Sequence, residues 1–239
     1  MRRRTMTFLV LALLVGSAAA FTQTERLKLT HSPIQAERLT RYFSPGCECR
    51  RGTARLSFLL RRADRLDVDI VAADGHVVRS LANDLPRRSG RFELAWDGTD
   101  DAGRIAPDGI YRVGVDLDRA GRRILIPAAL HVDTQPPDVR LLSVSSTTLS
   151  LGATGAVGTI ALRYTTSERA SSILLVDGKV ALRGEPNRPG TAIIMWQGEV
   201  RSRTVGPGSH ELALMVKDRA GNRSEPTPPV RVDVLSAGG

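Results

Sequence analysis

The sequence repeats itself at a spacing of 100 residues, and this repeat constrains the fold more than any other feature of the chain. Trp96-Asp97-Gly98 recurs as Trp196-Gln197-Gly198, and Asp118-Arg119-Ala120-Gly121 recurs unchanged as Asp218-Arg219-Ala220-Gly221. The units of solenoid proteins are shorter, at about 20–50 residues. A unit of about 100 residues is the size of a small domain such as an immunoglobulin-type sandwich. The repeat therefore predicts two copies of one module, and it favours a scaffold or binding protein over an enzyme.

The first 21 residues have the layout of an export signal. Three arginines, Arg2–Arg4, precede a continuous apolar run from Phe8 to Val15, and small residues follow as far as Ala20. The apolar stretch from Met6 to Phe21 has 16 residues, whereas a bilayer span needs about 20. Two outcomes stay open: cleavage after Ala20, or retention as a single-pass anchor with the bulk of the chain outside. Both predict an exported protein, either held in the cell membrane or located at the cell surface or secreted.

The charge balance indicates which partners suit the chain. There are 34 basic and 25 acidic residues, which give a formal net charge of +9. A basic exterior attracts anionic wall polymers or phospholipid headgroups. The arginines are dispersed and lack the interleaved aromatic residues of a single-strand nucleic-acid platform. We therefore expect an envelope protein or an anionic wall polymer as partner, and no nucleic acid.

From Thr53 onward the hydrophobic pattern is typical of β-strands. Ala54, Leu56 and Phe58 alternate with polar residues, as expected for strands with one buried and one solvated face. Asp74-Gly75 lies between two apolar runs and predicts a hairpin. Asp177-Gly178 is its counterpart, displaced by three residues from the repeat. Many short strands that follow one another at about 8–12 residues are typical of sandwiches and barrels.

These patterns predict an all-β protein made of two tandem immunoglobulin-like β-sandwiches behind an N-terminal export or anchor segment, residues 1–21. Residues 22–46 are interpreted as a polar connector. The first module is assigned to residues 47–135 and the second to residues 138–235. Pro136-Pro137 separates them, because neither proline can donate a hydrogen bond to a β-ladder.

The repeated residues are types that build a core and its turns. A tryptophan buries about 150–250 Å² and often anchors a small sandwich. Asp and Gly form turns, because Asp accepts backbone hydrogen bonds and Gly adopts positive φ. We therefore assign a structural role to the repeated positions and to their neighbours in the first copy. They are Trp96, Gly98, Pro107, Gly109, Tyr111, Trp196, Gly198 and Pro207.

The run Trp96–Arg104, followed by Pro107–Tyr111, resembles the immunoglobulin-like domain of flagellar hook-capping proteins, the FlgD type. Phe43-Ser44-Pro45 and Thr53–Phe58 are similar to the start of that domain. The resemblance covers residues 43–134. It implies an immunoglobulin-like fold and a structural role outside the cytoplasm.

The resemblance is weaker in the second module, which has Glu199–Arg203 in place of the Asp-rich run. That module is interpreted as a diverged relative. The flagellar protein also has an N-terminal region that docks to the hook, and residues 1–42 are too short and too export-like to replace it. The resemblance therefore does not imply hook capping.

Two groups of residues are candidates for chemical sites. The loop with Asp97, Asp100 and Asp101 lacks the Gly at the sixth position and the Glu at the twelfth that an EF-hand requires, so no metal is predicted. Cys47 and Cys49 are the only cysteines, and two cysteines cannot complete a zinc site. Disulfides persist outside the cytoplasm, so they are a candidate disulfide. The alternative of free or intermolecular thiols stays open.

No sequence motif indicates catalysis. The chain has no Gly-x-Ser-x-Gly, no His-Glu-x-x-His and no phosphate-binding glycine loop, so we predict a non-enzymatic protein without a cofactor. The expected function is a structural or interaction role at the bacterial cell surface. One alternative is a module protein that binds carbohydrate or wall polymers, and binding to glycans needs exposed aromatic residues in a row. Another is an accessory domain pair of an envelope enzyme system.

Overall fold

The structure is a computed structural model that describes residues 14, 16–17, 32–47, 49–152 and 155–236. Its strands, in chain order, are β1 (Ile34–Leu39), β2 (Tyr42–Phe43), β3 (Ala54–Leu60), β4 (Asp64–Ala72), β5 (Val77–Arg87), β6 (Gly90–Trp96), β7 (Gly109–Leu117), β8 (Arg122–Leu125), β9 (Leu130–Val132), β10 (Val139–Val144), β11 (Thr148–Gly152), β12 (Gly155–Val157), β13 (Ile160–Thr166), β14 (Ala170–Val176), β15 (Lys179–Asn187), β16 (Gly190–Trp196), β17 (Glu199–Val200), β18 (Arg203–Thr204), β19 (Gly208–Lys217) and β20 (Val230–Leu235).

Each half of the chain forms two packed sheets. In the first module, β1-β3-β6 faces β2-β9-β7-β4-β5, and β8 pairs with β7. In the second module, β10-β13-β16 faces β12-β11-β20-β19-β14-β15. The strand order is the same when β1, β3, β6, β4 and β7 are matched with β10, β13, β16, β14 and β19. The predicted all-β fold class with tandem sandwiches is confirmed.

Alternation of apolar and polar residues positions each sheet over its core. In β3 the residues Ala54, Leu56, Phe58 and Leu60 are buried, while Arg55 between them is exposed. Each module has its own core of such side chains. Burial contributes about 25 cal/mol for each Å² of apolar surface removed from water, which favours the face that keeps Arg55 in solvent.

The first module begins earlier in the chain than the sequence predicts. The sequence predicts a polar connector at residues 22–46, but β1 pairs with β3, and Ile34 and Phe43 are 1% and 0% exposed. The prediction is wrong from Ile34 onward. The pairing register shifts between Gln35 and Arg38, and this bulge breaks the alternation that would have revealed a strand.

The predicted export segment, residues 1–21, lies outside the described residues apart from positions 14, 16 and 17. Among the residues that the structure does describe, no helix is both long and apolar enough to cross a membrane.

Candidate functional site

Trp96 closes the core of the first module at the corner where β6 ends. It is 2% exposed and contacts Phe43 and Tyr111 edge-on, with ring centroids 5.3 and 5.2 Å away. Its Nε1 donates a hydrogen bond of 2.8 Å to the carbonyl of Thr99. The Tyr111 hydroxyl donates one of 2.6 Å to the carbonyl of Pro107, which ties the following strand to the same corner.

The same corner is built in the second module. Trp196 is 1% exposed, and its Nε1 donates to the carbonyl of Glu199 at 2.8 Å. The Val205 amide donates to the carbonyl of Gly198 at 2.8 Å, as Ala106 does to Gly98 in the first module. Both tryptophans are therefore core residues. Their burial removes the aromatic platform that the carbohydrate-binding alternative requires.

The remaining predicted positions of this motif lie at turns. Gly98 and Gly198 have positive φ values of 84° and 73°. Gly109 begins β7, and exposed Pro207 immediately precedes β19. These positions shape the chain and present no reactive group.

Hydrogen bonds within the Asp-rich loop occupy its carboxylates. The Asp97 carboxylate accepts hydrogen bonds from the Thr99 hydroxyl at 2.7 Å and the Thr99 amide at 2.9 Å, and these lower its pKa. The Asp100 carboxylate accepts from the amides of Arg104 and Ala102 at 2.8 and 2.9 Å, and its pKa is also lowered, chiefly by the Arg104 amide. A general acid needs the opposite shift, so this loop is suited to holding a turn.

Cys47 and Cys49 are bridged, with Cα atoms 5.2 Å apart. The bridge bends the backbone so that the Cys49 amide donates to the Cys47 carbonyl at 2.7 Å. This loop faces the second module. A Cβ placed on Gly221 would lie 3.1 Å from the Cys49 sulfur, so the turn of the second module approaches the bridge closely.

Side chains join the two modules at this point, which we call the joint. Arg219 Nη1 donates to the Tyr42 hydroxyl at 2.9 Å, and the guanidinium lies 5.1 Å from the centre of the Tyr42 ring. Arg51 donates to the carbonyl of Arg219. Asn222 Nδ2 donates to the carbonyl of Asp133 at 2.8 Å. The turn at 218–222 therefore binds the first module through both its backbone and its side chains.

The identical tetrapeptide in the first module makes different contacts. Residues 118–121 are exposed, and the turn is held by Asp64. The carboxylate of Asp64 accepts hydrogen bonds from the amides of Arg119 at 2.7 Å and Ala120 at 3.1 Å. One sequence thus forms a contact between modules in the second copy and a solvated turn in the first.

Three carboxylates that the sequence did not bring together meet at the joint. Oxygens of Asp133, Glu168 and Asp218 all lie within 4.8 Å of one another. Burial, and then the neighbouring carboxylates, raise the pKa of Glu168, and burial also raises the pKa of Asp133.

These three residues are the candidate metal ligands among the described residues. However, Asp218 Oδ1 accepts from the amides of Gly221 and Asn222 at 2.6 and 2.8 Å, and Oδ2 accepts from Asn222 Nδ2 at 2.7 Å. These bonds commit its oxygens to the turn, and the cluster is better suited to shaping the joint than to holding an ion. The residues are 35 and 50 positions apart in sequence, and no local motif signals their contact.

The edge strands β6 and β16 differ on their outer faces. Among the strands that the structure describes, each pairs on one side only, with β3 and β13 respectively. In β6 the exposed residues include Arg91 and Glu93. In β16 the position equivalent to Glu93 is Ile193, which is 55% exposed, and Met195 nearby is 61% exposed. The second module therefore presents an uncharged apolar edge where the first presents a charged one.

Two solved structures are similar to this chain over most of its length. The fibronectin(III)-like modules of Clostridium thermocellum CbhA are 18% identical, with a TM-score of 0.45 and coverage of 86% of this chain and 93% of that chain. The human OSCAR ligand-binding domain is 13% identical, with a TM-score of 0.33 and coverage of 82% and 97%. At these values neither match indicates a function. None of the curated proteins matches the chain.

A family model gives a more specific result. Residues 50–121 match the FlgD Ig-like domain. This match falls within residues 43–134, over which the sequence resembles that domain, and it confirms the resemblance for the first module. The interpretation of the second module as a diverged copy stays a prediction. The first module therefore contains an Ig-like domain of the FlgD type.

Proposed function

We propose that this chain is an exported, non-catalytic protein of the bacterial envelope, in which two joined Ig-like modules serve as a structural and interaction unit. Immunoglobulin-like and fibronectin-like modules commonly have structural or interaction roles, and this part rests on the family match. The export and envelope parts rest on the arginines and the apolar run within residues 1–21.

The joint is the single observation that carries the structural role. A flexible tandem would have few contacts between its modules, but here Arg219, Asn222 and Arg51 all bond across the boundary. Hydrogen bonds of charged groups are worth about 1.5–3 kcal/mol when buried, and those at exposed sites less. Together with the stiff Pro136-Pro137 segment, these contacts support a tandem in which the second module is held in a fixed orientation relative to the first.

The outer edge of β16 supplies a surface for interaction. Unpaired backbone groups at a sheet edge can pair with an extended segment of another protein, and side-chain pockets then give specificity. Natural edges are usually protected by charge or proline. The seven residues of β16, Gly190–Trp196, contain neither. We propose an extended, apolar segment of an envelope protein as the partner of this edge.

Cell fractionation with N-terminal sequencing tests the export part. We expect the native protein in the envelope or outside the cell. Its N-terminus should begin at Phe21 after cleavage behind Ala20, or the apolar segment should be retained in the membrane. A native protein with its original N-terminus in the cytosolic fraction would contradict export.

The interaction part is tested with Ile193→Glu, which gives β16 the residue type that β6 has at the equivalent place. Glu93→Gln in β6 is the matched control. Wild type and control should capture the same envelope protein by chemical crosslinking in cells, and Ile193→Glu should lose it at unchanged thermal stability, because the position is exposed. Equal capture by both variants would contradict the assignment to β16.

A further inference from the structure

The end of the first module opposite the joint is built from three neighbouring turns. The Arg61 amide donates to the Pro33 carbonyl at 3.0 Å, so the turn after β3 lies where the described chain enters the module. Leu60 pairs with Gly90, which brings the turn between β5 and β6 beside it. The Arg119 amide reaches the carboxylate of Asp64 at 2.7 Å and adds the third turn. We call this surface the arginine face.

The arginine face is far from the joint. Strand β7 runs between the two ends, because Gly109 pairs with Val132 near the joint and Leu117 precedes the exposed turn. Its nine residues separate the two ends by roughly 27 Å at about 3.4 Å per residue. The arginine face is therefore a separate surface from the joint, and contacts between the modules do not cover it.

Six exposed arginines lie on these three turns and their flanks. They are Arg61, Arg62, Arg87, Arg88, Arg119 and Arg122. Within the part of the chain that the structure describes, none of them lies within 4.0 Å of a carboxylate. The guanidinium of Arg87 lies 4.9 Å from the centre of the Phe92 ring and keeps its charge at the surface.

The acidic groups nearby do not neutralise this charge. Asp64 is 7% exposed, and its carboxylate accepts three backbone amides. Asp84 is paired with Arg65, and Asp116 with Arg123. Asp118 is the exposed acidic residue within the turns. The arginine face thus carries a net positive charge that is accessible to a large anionic partner.

The second module shows that the fold does not require these arginines. Its equivalent turns contain Ser167-Glu168-Arg169, Arg188 and Asp218-Arg219, a nearly neutral set. That surface is the one that docks on the first module at the joint. The equivalent surface of the first module is rich in arginine, and within the described part of the chain no module docks on it.

The sequence that precedes this surface indicates what it meets. The 16-residue apolar stretch ends at Phe21, and ten residues separate it from Ser32. Ten residues can span at most about 35 Å when fully extended. If the apolar stretch enters the membrane during export or remains there, the arginine face lies within about 35 Å of the bilayer.

We propose that the arginine face binds the phosphate headgroups of an anionic phospholipid bilayer and sets the tandem upright on the membrane, with the joint and β16 directed away from it. This inference rests on the proposed export of the chain. Arg is well suited to the contact, because its planar guanidinium binds phosphate with two parallel hydrogen bonds and stays charged at all physiological pH values. Basic residues close to an anionic lipid surface are also attracted to it electrostatically.

The test is flotation of the full chain with vesicles of phosphatidylcholine alone or with phosphatidylglycerol. The apolar stretch contributes to binding of both vesicle types. The measured quantity is therefore the factor by which phosphatidylglycerol increases the vesicle-binding constant, which we call the gain. Each arginine near an anionic surface strengthens binding roughly five-fold. A quadruple variant should therefore reduce the gain at least ten-fold. It carries Arg61→Gln, Arg62→Gln, Arg87→Gln and Arg88→Gln. The gain should also fall with added salt.

A second quadruple variant controls for net charge. Arg140→Gln, Arg163→Gln, Arg183→Gln and Arg203→Gln remove four exposed arginines from the second module. This variant should keep the gain of the wild type within about two-fold, since these arginines lie far from the proposed contact and are screened by salt. An equal loss in both variants would mean that net charge alone drives binding and would overturn the assignment.

Soluble polyglycerol phosphate distinguishes a bilayer from a wall polymer. If it displaces the chain from anionic vesicles at an equal phosphate concentration, the arginine face recognises a phosphate polymer and the bilayer proposal is wrong. If vesicles bind the protein in preference to the polymer, the proposal stands. A cytosolic native protein would refute export without changing the vesicle result, whereas an exported protein with no arginine-dependent gain would refute only this inference.

Discussion

The contact between Gly98 and Pro45 gives the sharpest test of how the corner of the first module is held together. Gly98 is buried and has φ +84°, a conformation that costs an L-residue about 1–2 kcal/mol. A Cβ on Gly98 would also lie 2.7 Å from the Cβ of Pro45, closer still to its Cγ, and 3.1 Å from Phe43 Cε2. These neighbours are buried, so they cannot move aside easily.

Gly103 is the matched control, because it shares the backbone conformation without the contact. Its φ is +76°, and nothing lies within 4 Å of a Cβ placed there. Gly103→Ala should therefore lower the free energy of unfolding by only the backbone term, about 1–2 kcal/mol. Gly98→Ala adds overpacking, which typically costs about 1–3 kcal/mol. We expect Gly98→Ala to destabilise the first module by about 2–5 kcal/mol.

Urea denaturation followed by tryptophan fluorescence measures this difference. A Trp196→Phe background leaves Trp96 as the only tryptophan, so the signal reports on the first module. If Gly98→Ala costs no more than Gly103→Ala, then the corner can shift to accept a side chain, and the reasoning from the Pro45 contact is refuted.

Two further predictions concern the joint. Arg219→Ala removes the hydrogen bond to Tyr42 and should increase the radius of gyration measured by small-angle X-ray scattering, whereas Arg119→Ala at the solvated equivalent turn should leave it unchanged. Glu168→Gln should raise the free energy of unfolding at pH 7. Burial raises the pKa of the Glu168 carboxyl in the folded state above its unfolded value of about 4.3. The wild type therefore loses stability as the pH rises from the unfolded pKa through the folded pKa, and the glutamine variant does not. Thermal denaturation measures this gain, which should vanish at about pH 3, where the carboxyl is neutral in both the folded and the unfolded state. Glu225→Gln removes a carboxylate from an exposed site and is the control for the change in net charge.

Much of the fold is predictable from the sequence because its signals are local. The alternation in β3 and the Asp74-Gly75 turn need only a few consecutive residues, and both appear as predicted, with β4 and β5 pairing around the turn. Strand β1 was missed for the same reason. Its bulge between Gln35 and Arg38 interrupts the local pattern, and only the long-range pairing with β3 defines it as a strand.

The candidate sites could not be predicted because they depend on contacts between distant segments. Asp133, Glu168 and Asp218 each look like an ordinary turn or loop residue, and they meet only when the second module docks on the first. Ile193 and Met195 look like alternate residues of any half-buried strand. They are exposed because they lie on the outer face of the sheet, whereas Ile194 and Trp196 in the same strand face the core, and the sequence does not specify that β16 is an edge strand.

The duplicated turn shows why the two copies have different roles. Asp118–Gly121 and Asp218–Gly221 have the same sequence and occupy the same place in their modules. The first turn is held by Asp64 within its own module, whereas the second docks on Tyr42, the Cys47–Cys49 loop and Arg51 at the end of the first module. The contact therefore gives the tandem a direction. The arginine face lies at the end of the first module opposite the joint, and the second module carries the apolar edge of β16. Exchanging the order of the modules would separate the turn from the surface that receives it.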